Sequence, residues 1–422
     1  MHKGKRTQTG GLLRWVAAAL ALILLAGGIA AGMKLGGGPV EALPASASEG
    51  GVPEPVPEPE PVPEPELPPE PEPDPAEALL AEMDLREKIG QLFSARPSAI
   101  TGGANGTEAG EAMKKGLAAY PVGGLLLNRS NLVSQEQVRA MLEETQSYSR
   151  IPLLVTCDEE GGRVNRLMKT VGTTWVGPML DYKDQGTETA RANARIIASD
   201  LISCGFNMDF APVADVWSNP DNTVIGDRAY SDSFEQAAEL VAAAVEGFHD
   251  GGAACTLKHF PGHGDTSADS HNGAVYIHKS LDELRQAELL PFQAGIRAGA
   301  DAVMIGHLIL DQIDDQPALF SHLLVTELLR TEMGFDGVVV TDSLEMQAMT
   351  DYYGSGEIAV SAIQAGVDVL LCPTDLEEAV EALLQAVEEG GLTEARLDES
   401  VLRVLRLKQA QGLLDALPPA GE

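Results

Sequence analysis

Eight short apolar runs recur along the chain, each followed by a stretch that reads as a helix, and this alternation limits the possible folds more than any other feature. The runs lie at 88–95, 122–128, 152–158, 206–215, 253–259, 302–308, 337–343 and 367–373. They are rich in β-branched and aliphatic residues and short enough for strands. Fully apolar strands joined by helices imply a parallel sheet covered on both faces. One intervening stretch sets Phe234, Leu240, Val241, Val245 and Phe248 on one helical face and stops at Gly251–Gly252. Ser280 with Glu283 and Thr374 with Glu377 have the spacing of capping boxes, and another helix is expected from Ser321 to Gly334. The pattern predicts an α/β fold, a (β/α)8 barrel of the TIM type, as one domain over 76–422. A doubly wound open sheet is the runner-up, but no Gly-x-Gly-x-x-Gly or P-loop pattern follows any strand.

The front of the chain reads differently. Residues 1–14 are basic and are expected on the cytoplasmic side. Trp15 to Met33 is an uncharged run long enough to span a bilayer, read here as a signal-anchor, with a cleaved signal as the alternative. Residues 34–75 form a Pro/Glu-rich linker, in which proline fixes φ and removes backbone donors while the glutamates repel. As an extended polyproline II spacer its 24-residue repeat, Val52–Pro75, would reach about 75 Å. Either reading of the apolar run puts the body outside the cytoplasm, at the cell membrane or secreted. The net charge is −34; the first 50 residues carry +3 and residues 51–76 carry −8, so the body carries −29. Such a surface repels nucleic acid and anionic polymers and favours neutral or cationic ligands. The four cysteines, Cys157, Cys204, Cys255 and Cys372, form no C-x-x-C pair and are expected to be free, buried thiols.

The strand ends carry the chemistry. Asp158, Asp215, Lys258 with His259, His307 and Asp342 each stand just past an apolar run. In a barrel these ends converge on one mouth, where active sites sit. After the fifth run comes "KHFPGHGDTSADSH", Lys258 to His271, with three histidines and two glycines. Histidine and carboxylate could make a metal site of His259, His263, Asp265 and His271, but the frame of a helical H-x-x-x-H is missing, and no metal is expected. His263 is read as a brace for the loop, while Gly262 and Gly264 would let it open and close. Arg166 and Arg228 each follow a strand in a Gly-containing segment, where a guanidinium can hold a carboxylate or a ligand oxygen. Trp175 and Trp217 are either stacking platforms or packing residues.

The loop, with "CDEEGGRVNRL" (157–167), "FNMDFAPVADV" (206–216), "SNPDNTVIGDRAYSD" (218–232) and "VVVTDSLEMQAM" (338–349), resembles glycoside hydrolase family 3, in its β-N-acetylglucosaminidase branch. The likeness spans about residues 76–412, and with the chain ending at Glu422 it resembles the single-domain form. The resemblance implies Asp342 as nucleophile, His271 as general acid/base and Asp269 as its partner. It implies Asp158, Arg166, Arg228, Lys258 and His259 as residues that grip the terminal sugar, with no cofactor.

The chemistry is consistent with those roles. Retaining cleavage needs a nucleophile on one side of the anomeric carbon and an acid, later a base, on the other. Asp269 lies two residues before His271, so in extended backbone the two side chains share a face. The carboxylate then holds one ring nitrogen and favours the imidazolium. The expected activity is an exo-acting β-N-acetylglucosaminidase working on peptidoglycan-derived or related glycans as a monomer. Phosphorolysis, β-glucoside cleavage and sugar binding without turnover are the alternatives.

Overall fold

The computed structural model describes residues 74–103, 106–266, 273–415 and 417. The basic segment, the expected membrane span at Trp15–Met33 and the linker up to residue 73 lie outside the described residues. Among the described residues, no helix is long and apolar enough to cross a membrane. The last two residues of the expected linker belong to the body. Asp74 accepts a hydrogen bond from the Ala76 N–H and caps the helix Pro75–Glu82.

All eight expected runs supply a strand. These are β1 (Phe93–Ala95), β2 (Gly124–Leu126), β3 (Leu154–Cys157), β4 (Met208–Asp209), β5 (Thr256–Phe260), β6 (Ala302–Ile305), β7 (Val338–Thr341) and β8 (Leu370–Leu371). Every pairing between them is parallel, with Ser94 opposite Gly124, Gly124 opposite Leu154, Thr156 opposite Met208, and Ala302 opposite both Thr256 and Val338. Phe93 pairs with Leu370, and single bridges at Met208–Ala254 and Val340–Val369 join the remaining edges, so the sheet closes on itself. The helices between strands are α1 (Glu111–Ala119), α2 (Gln135–Ser147), α3 (Thr187–Ser203), α4 (Phe234–Gly251), α5 (Leu289–Arg297), α6 (Leu323–Glu332) and α7 (Ser355–Ala365), followed by α8 (Leu376–Glu388) and α9 (Glu394–Ala410). A closed parallel barrel wrapped by helices is the predicted architecture. A further parallel pair, Val275–Ile277 beside Leu308–Leu310, was not expected; the two segments follow β5 and β6 and build up the rim.

The two-residue period of each strand sorts side chains into two cores. Leu126, Leu154, Met208, Phe210, Ala302, Met304, Val338, Val340 and Leu371 fill the barrel, and Val404 and Leu407 of α9 join them. Their neighbours Leu125, Val155, Val303, Val339 and Leu370 face the helices and join the larger core. Polar exceptions then stand out: Lys258 is the inward-facing residue of β5, two places after Thr256.

Local signals held with one shift. α4 buries Leu240, Val241, Val245 and Phe248 and ends at Gly252 in left-handed backbone. The Ser280–Glu283 capping box is formed. At α8 the cap is one residue later than expected, because Asp375 accepts from the Glu378 N–H at 2.9 Å while the Thr374 hydroxyl pairs with Ser355. Ser321 Oγ accepts from the Leu324 N–H at the start of α6. All four cysteines are free and buried.

Candidate active site

The mouth at the C-terminal strand ends holds a cavity of about 990 Å³, lined by Asp158, Glu160, Arg166, Arg228, Lys258, His259 and Asp342 among others. Its wall is a chain of alternating charges. Arg166 Nη2 lies 2.8 Å from Asp158 Oδ2, and Asp158 Oδ1 lies 2.9 Å from Lys258 Nζ. Lys258 Nζ continues to Glu160 Oε1 at 2.6 Å, and Arg228 grips the two Glu160 oxygens at 2.7 and 2.8 Å. The arginine fork matches the carboxylate bidentately, which fixes direction as well as distance.

Burial disfavours each of these charges, and the partners outweigh it. Burial pushes the Asp158 carboxyl up, but Lys258 and Arg166 bring it below its ordinary range. Against the same burial, Arg228 and Lys258 hold Glu160 far below the usual carboxylate range. Lys258 loses stability as an ammonium through burial, yet Asp158 and Glu160 hold it above its usual value. It is therefore a fixed cation and a hydrogen-bond donor, not a nucleophile.

Local backbone places these groups. Glu159, between the two carboxylates of the wall, turns away and accepts the N–H groups of Arg166, Leu167 at 2.8 Å and Met168 at 3.0 Å. It thereby caps the short helix Leu167–Thr170 and sets the position of Arg166. Arg163 donates to the Thr223, Val224 and Ile225 carbonyls and to Asp227, which ties down the segment that carries Arg228.

Asp342 follows β7 and is half-buried. It does not cap the next helix, Gln347–Thr350, whose first-turn boundary is Met346. One carboxylate oxygen accepts the Ser343 N–H at 2.7 Å. Burial pushes its carboxyl up; His259, His307, that N–H and Lys258 together bring it below the ordinary value, so it is an anion at neutral pH.

His259 Nδ1 is 2.6 Å from Asp215 Oδ2, which leaves Nε2 as the ring's other polar atom. Asp215 is fully buried and also accepts the His259 and His263 N–H groups. His263 is buried with Nδ1 on Thr266 Oγ1 at 2.8 Å, and Asn222 donates to its carbonyl, so it braces the loop as expected. His307 Nε2 lies 2.8 Å from the Ser343 carbonyl and steadies the turn after Asp342.

Asp269 and His271 lie outside the described residues. The remaining six predicted site residues, Asp342, Asp158, Arg166, Arg228, Lys258 and His259, line one cavity. The described members of the alternative metal set are engaged separately: Asp265 pairs with Lys279 at 2.8 Å, and His259 and His263 give their Nδ1 atoms to Asp215 and Thr266. Gly262 and Gly264 both stand where a side chain would not fit. A Cβ at Gly264 would lie 1.6 Å from the Val216 carbonyl oxygen, and Gly262 has φ +126° against Glu288. Both glycines serve close approach of backbone to its neighbours. Trp217 packs on Val213, Ile225 and Ala229 and donates to the Asn222 carbonyl, while Trp175 is exposed. Sequence reasoning missed Glu160 and the orienting role of Asp215. The signal for Glu160 was its place two residues after Asp158, on the same face of an extended segment.

The arrangement, an anionic carboxylate lining one cavity with a wall of paired, hydrogen-bonding charges, suits cleavage at an acetal carbon. The glycosyl hydrolase family 3 N-terminal domain matches residues 84–407. A beta-hexosaminidase of Idiomarina loihiensis is 38% identical over 283 residues, covering 66% of this chain and 84% of the relative. Beta-hexosaminidase A of Pseudoalteromonas piscicida is 33% identical over 322 residues, covering 69% of this chain and 54% of the relative. A solved glycoside hydrolase family 3 beta-N-acetylglucosaminidase from Paenibacillus sp. str. FPU-7 superposes with a TM-score of 0.74 at 42% identity, covering 79% of this chain and 64% of that one. The chain thus spans little more than half to under two thirds of the last two proteins. A barrel of this order, a mouth of this composition and a match over three quarters of its length make this chain a member of glycosyl hydrolase family 3.

Proposed function

We propose that the protein is a retaining exo-β-N-acetylglucosaminidase that removes a terminal N-acetylglucosamine from peptidoglycan-derived or related glycans. The observation that carries this reading is that Asp342, which has no ion pair among the described residues, lines the same cavity as Asp158, Lys258 and Arg166, which are locked together. Asp342 attacks the anomeric carbon, forming the glycosyl–enzyme ester as the glycosidic bond breaks. His271, oriented by Asp269, gives its proton to the leaving oxygen. It then takes one from the water that cleaves the ester. The wall holds the sugar hydroxyls, with His259 oriented by Asp215. The names of the relatives support the choice of sugar. The apolar run and the spacer before the body support work at the envelope, as an anchored or secreted enzyme.

The test is hydrolysis of an aryl β-N-acetylglucosaminide, beside the matching β-glucoside, with and without phosphate. Wild type should prefer the N-acetylglucosaminide and be indifferent to phosphate, and Asp342→Ala should lose on the order of 10³-fold or more in kcat/KM. A preference for glucoside, a requirement for phosphate, or full activity in Asp342→Ala would each overturn the corresponding part of the reading.

A further inference from the structure

Away from the mouth, at the N-terminal ends of β5 and β6, three side chains of metal-binding type converge. His249 sits in the last turn of α4, Cys255 immediately precedes β5, and Asp301 immediately precedes β6. The ligand atoms His249 Nε2, Cys255 Sγ and an Asp301 carboxylate oxygen all lie within 4.8 Å of one another. We propose that His249, Cys255 and Asp301 form a site, separate from the mouth, for a transition metal of the zinc class, with water as the fourth ligand.

The donor chemistry fits. One nitrogen, one sulfur and one oxygen are all accepted by zinc, and three protein ligands with one open position make a familiar tetrahedral set. A thiolate and a carboxylate carry two negative charges, which neutralise a divalent ion with a neutral imidazole. The ligands come from a helix end and two strand starts, so their spacing is set by the rigid barrel rather than by a loop. His249 Nε2 is 2.9 Å from Asp301 Oδ2, and the same oxygen accepts the Cys255 N–H at 2.9 Å. That backbone contact fixes the carboxylate beside the sulfur. Of the three ligands, Asp301 lines a surface cleft of about 550 Å³, His249 is partly exposed and Cys255 is buried. Gly299, at φ +95°, lies under the imidazole, with His249 Cε1 only 3.6 Å from where a Cβ would stand.

Metal binding forms bonds to sulfur, nitrogen and oxygen, and releases the thiol proton together with any imidazolium proton.

The test uses the full chain, stripped with chelator and titrated with cobalt(II) under reducing, oxygen-free conditions. One equivalent should bind with a thiolate-to-cobalt charge-transfer band, and zinc should displace it. Cys255→Ser should abolish the band. His249→Ala, at a partly exposed position, should weaken binding at least tenfold and cancel the rise in melting temperature that zinc gives wild type. Hydrolysis of the aryl probe should be the same with and without zinc, because the site is at the opposite end of the barrel. No charge-transfer band in wild type, or a band kept in Cys255→Ser, would overturn the proposal. Should Cys255→Ser fail to fold, wild-type affinity in His249→Ala would overturn it equally.

Discussion

At the scale of single residues, the mouth shows how buried charges become tools only when paired. Lys258 and Glu160 are nearly inaccessible, and neither could hold its charge alone. Glu160 accepts from both Arg228 and Lys258, so losing its charge leaves two buried cations under-compensated. Glu160→Gln is expected to cost about 3–5 kcal/mol of stability. Chemical denaturation measures this, and a change below about 1 kcal/mol would mean that water or neighbouring groups replace the carboxylate. The candidate site residues Asp158 and Asp342 were legible because each follows an apolar strand, and Lys258 and His259 because they stand in the C-terminal half of one. Glu160 was less legible, since one acidic residue in "DEEGG" looks like another until the backbone shows which one points inward. Glu159 and Glu160 are neighbours with opposite duties, one capping a helix and one compensating Lys258.

At the scale of elements, close approach of backbone sets the segment between Gly262 and Thr266, which leads toward the proposed acid/base pair, Asp269 and His271. Gly264 lies directly against the Val216 carbonyl, and Asn219 and Asn222 donate to the carbonyls of Asp265 and His263. Gly264→Ala must displace this segment. A displacement of about 1 Å is expected to lower kcat/KM by about 10²-fold while the barrel stays folded. Steady-state kinetics with circular dichroism checks this; full activity would show that the loop adapts. α9 carries a different constraint. Lys408 is fully buried at the base of the barrel, with Nζ on Gln91 Oε1 at 2.5 Å. Burial pushes its ammonium down to about 7 from an ordinary 10.5. Between those values the unfolded chain binds a proton that the folded chain does not. Stability therefore falls as pH is lowered from 10.5 to 7, and the loss is complete below 7. Lys408→Met should flatten this dependence and stabilise the protein at neutral pH by about 1–4 kcal/mol. Denaturation at several pH values tests it, and a parallel pH curve in the variant would assign the dependence elsewhere.

At the scale of the whole molecule, a strongly acidic body is joined by a Pro/Glu-rich stretch to a basic, apolar front. The full chain is expected in the membrane fraction, and a chain lacking residues 1–33 in the soluble fraction; cell fractionation with an antibody to the body decides, and equal distribution would remove the anchor. The chain by itself determined the number and order of barrel strands, because a two-residue period and a run of fully apolar residues are local properties. It also marked the strand-end residues that meet at the mouth. It did not determine which acidic neighbour compensates Lys258, that α9 contributes Val404 and Leu407 to the barrel's interior core, or that His249, Cys255 and Asp301 meet. Apart from His249 and Cys255, which are close in sequence, those partners are separated by tens to hundreds of residues, and only the tertiary fold brings them together.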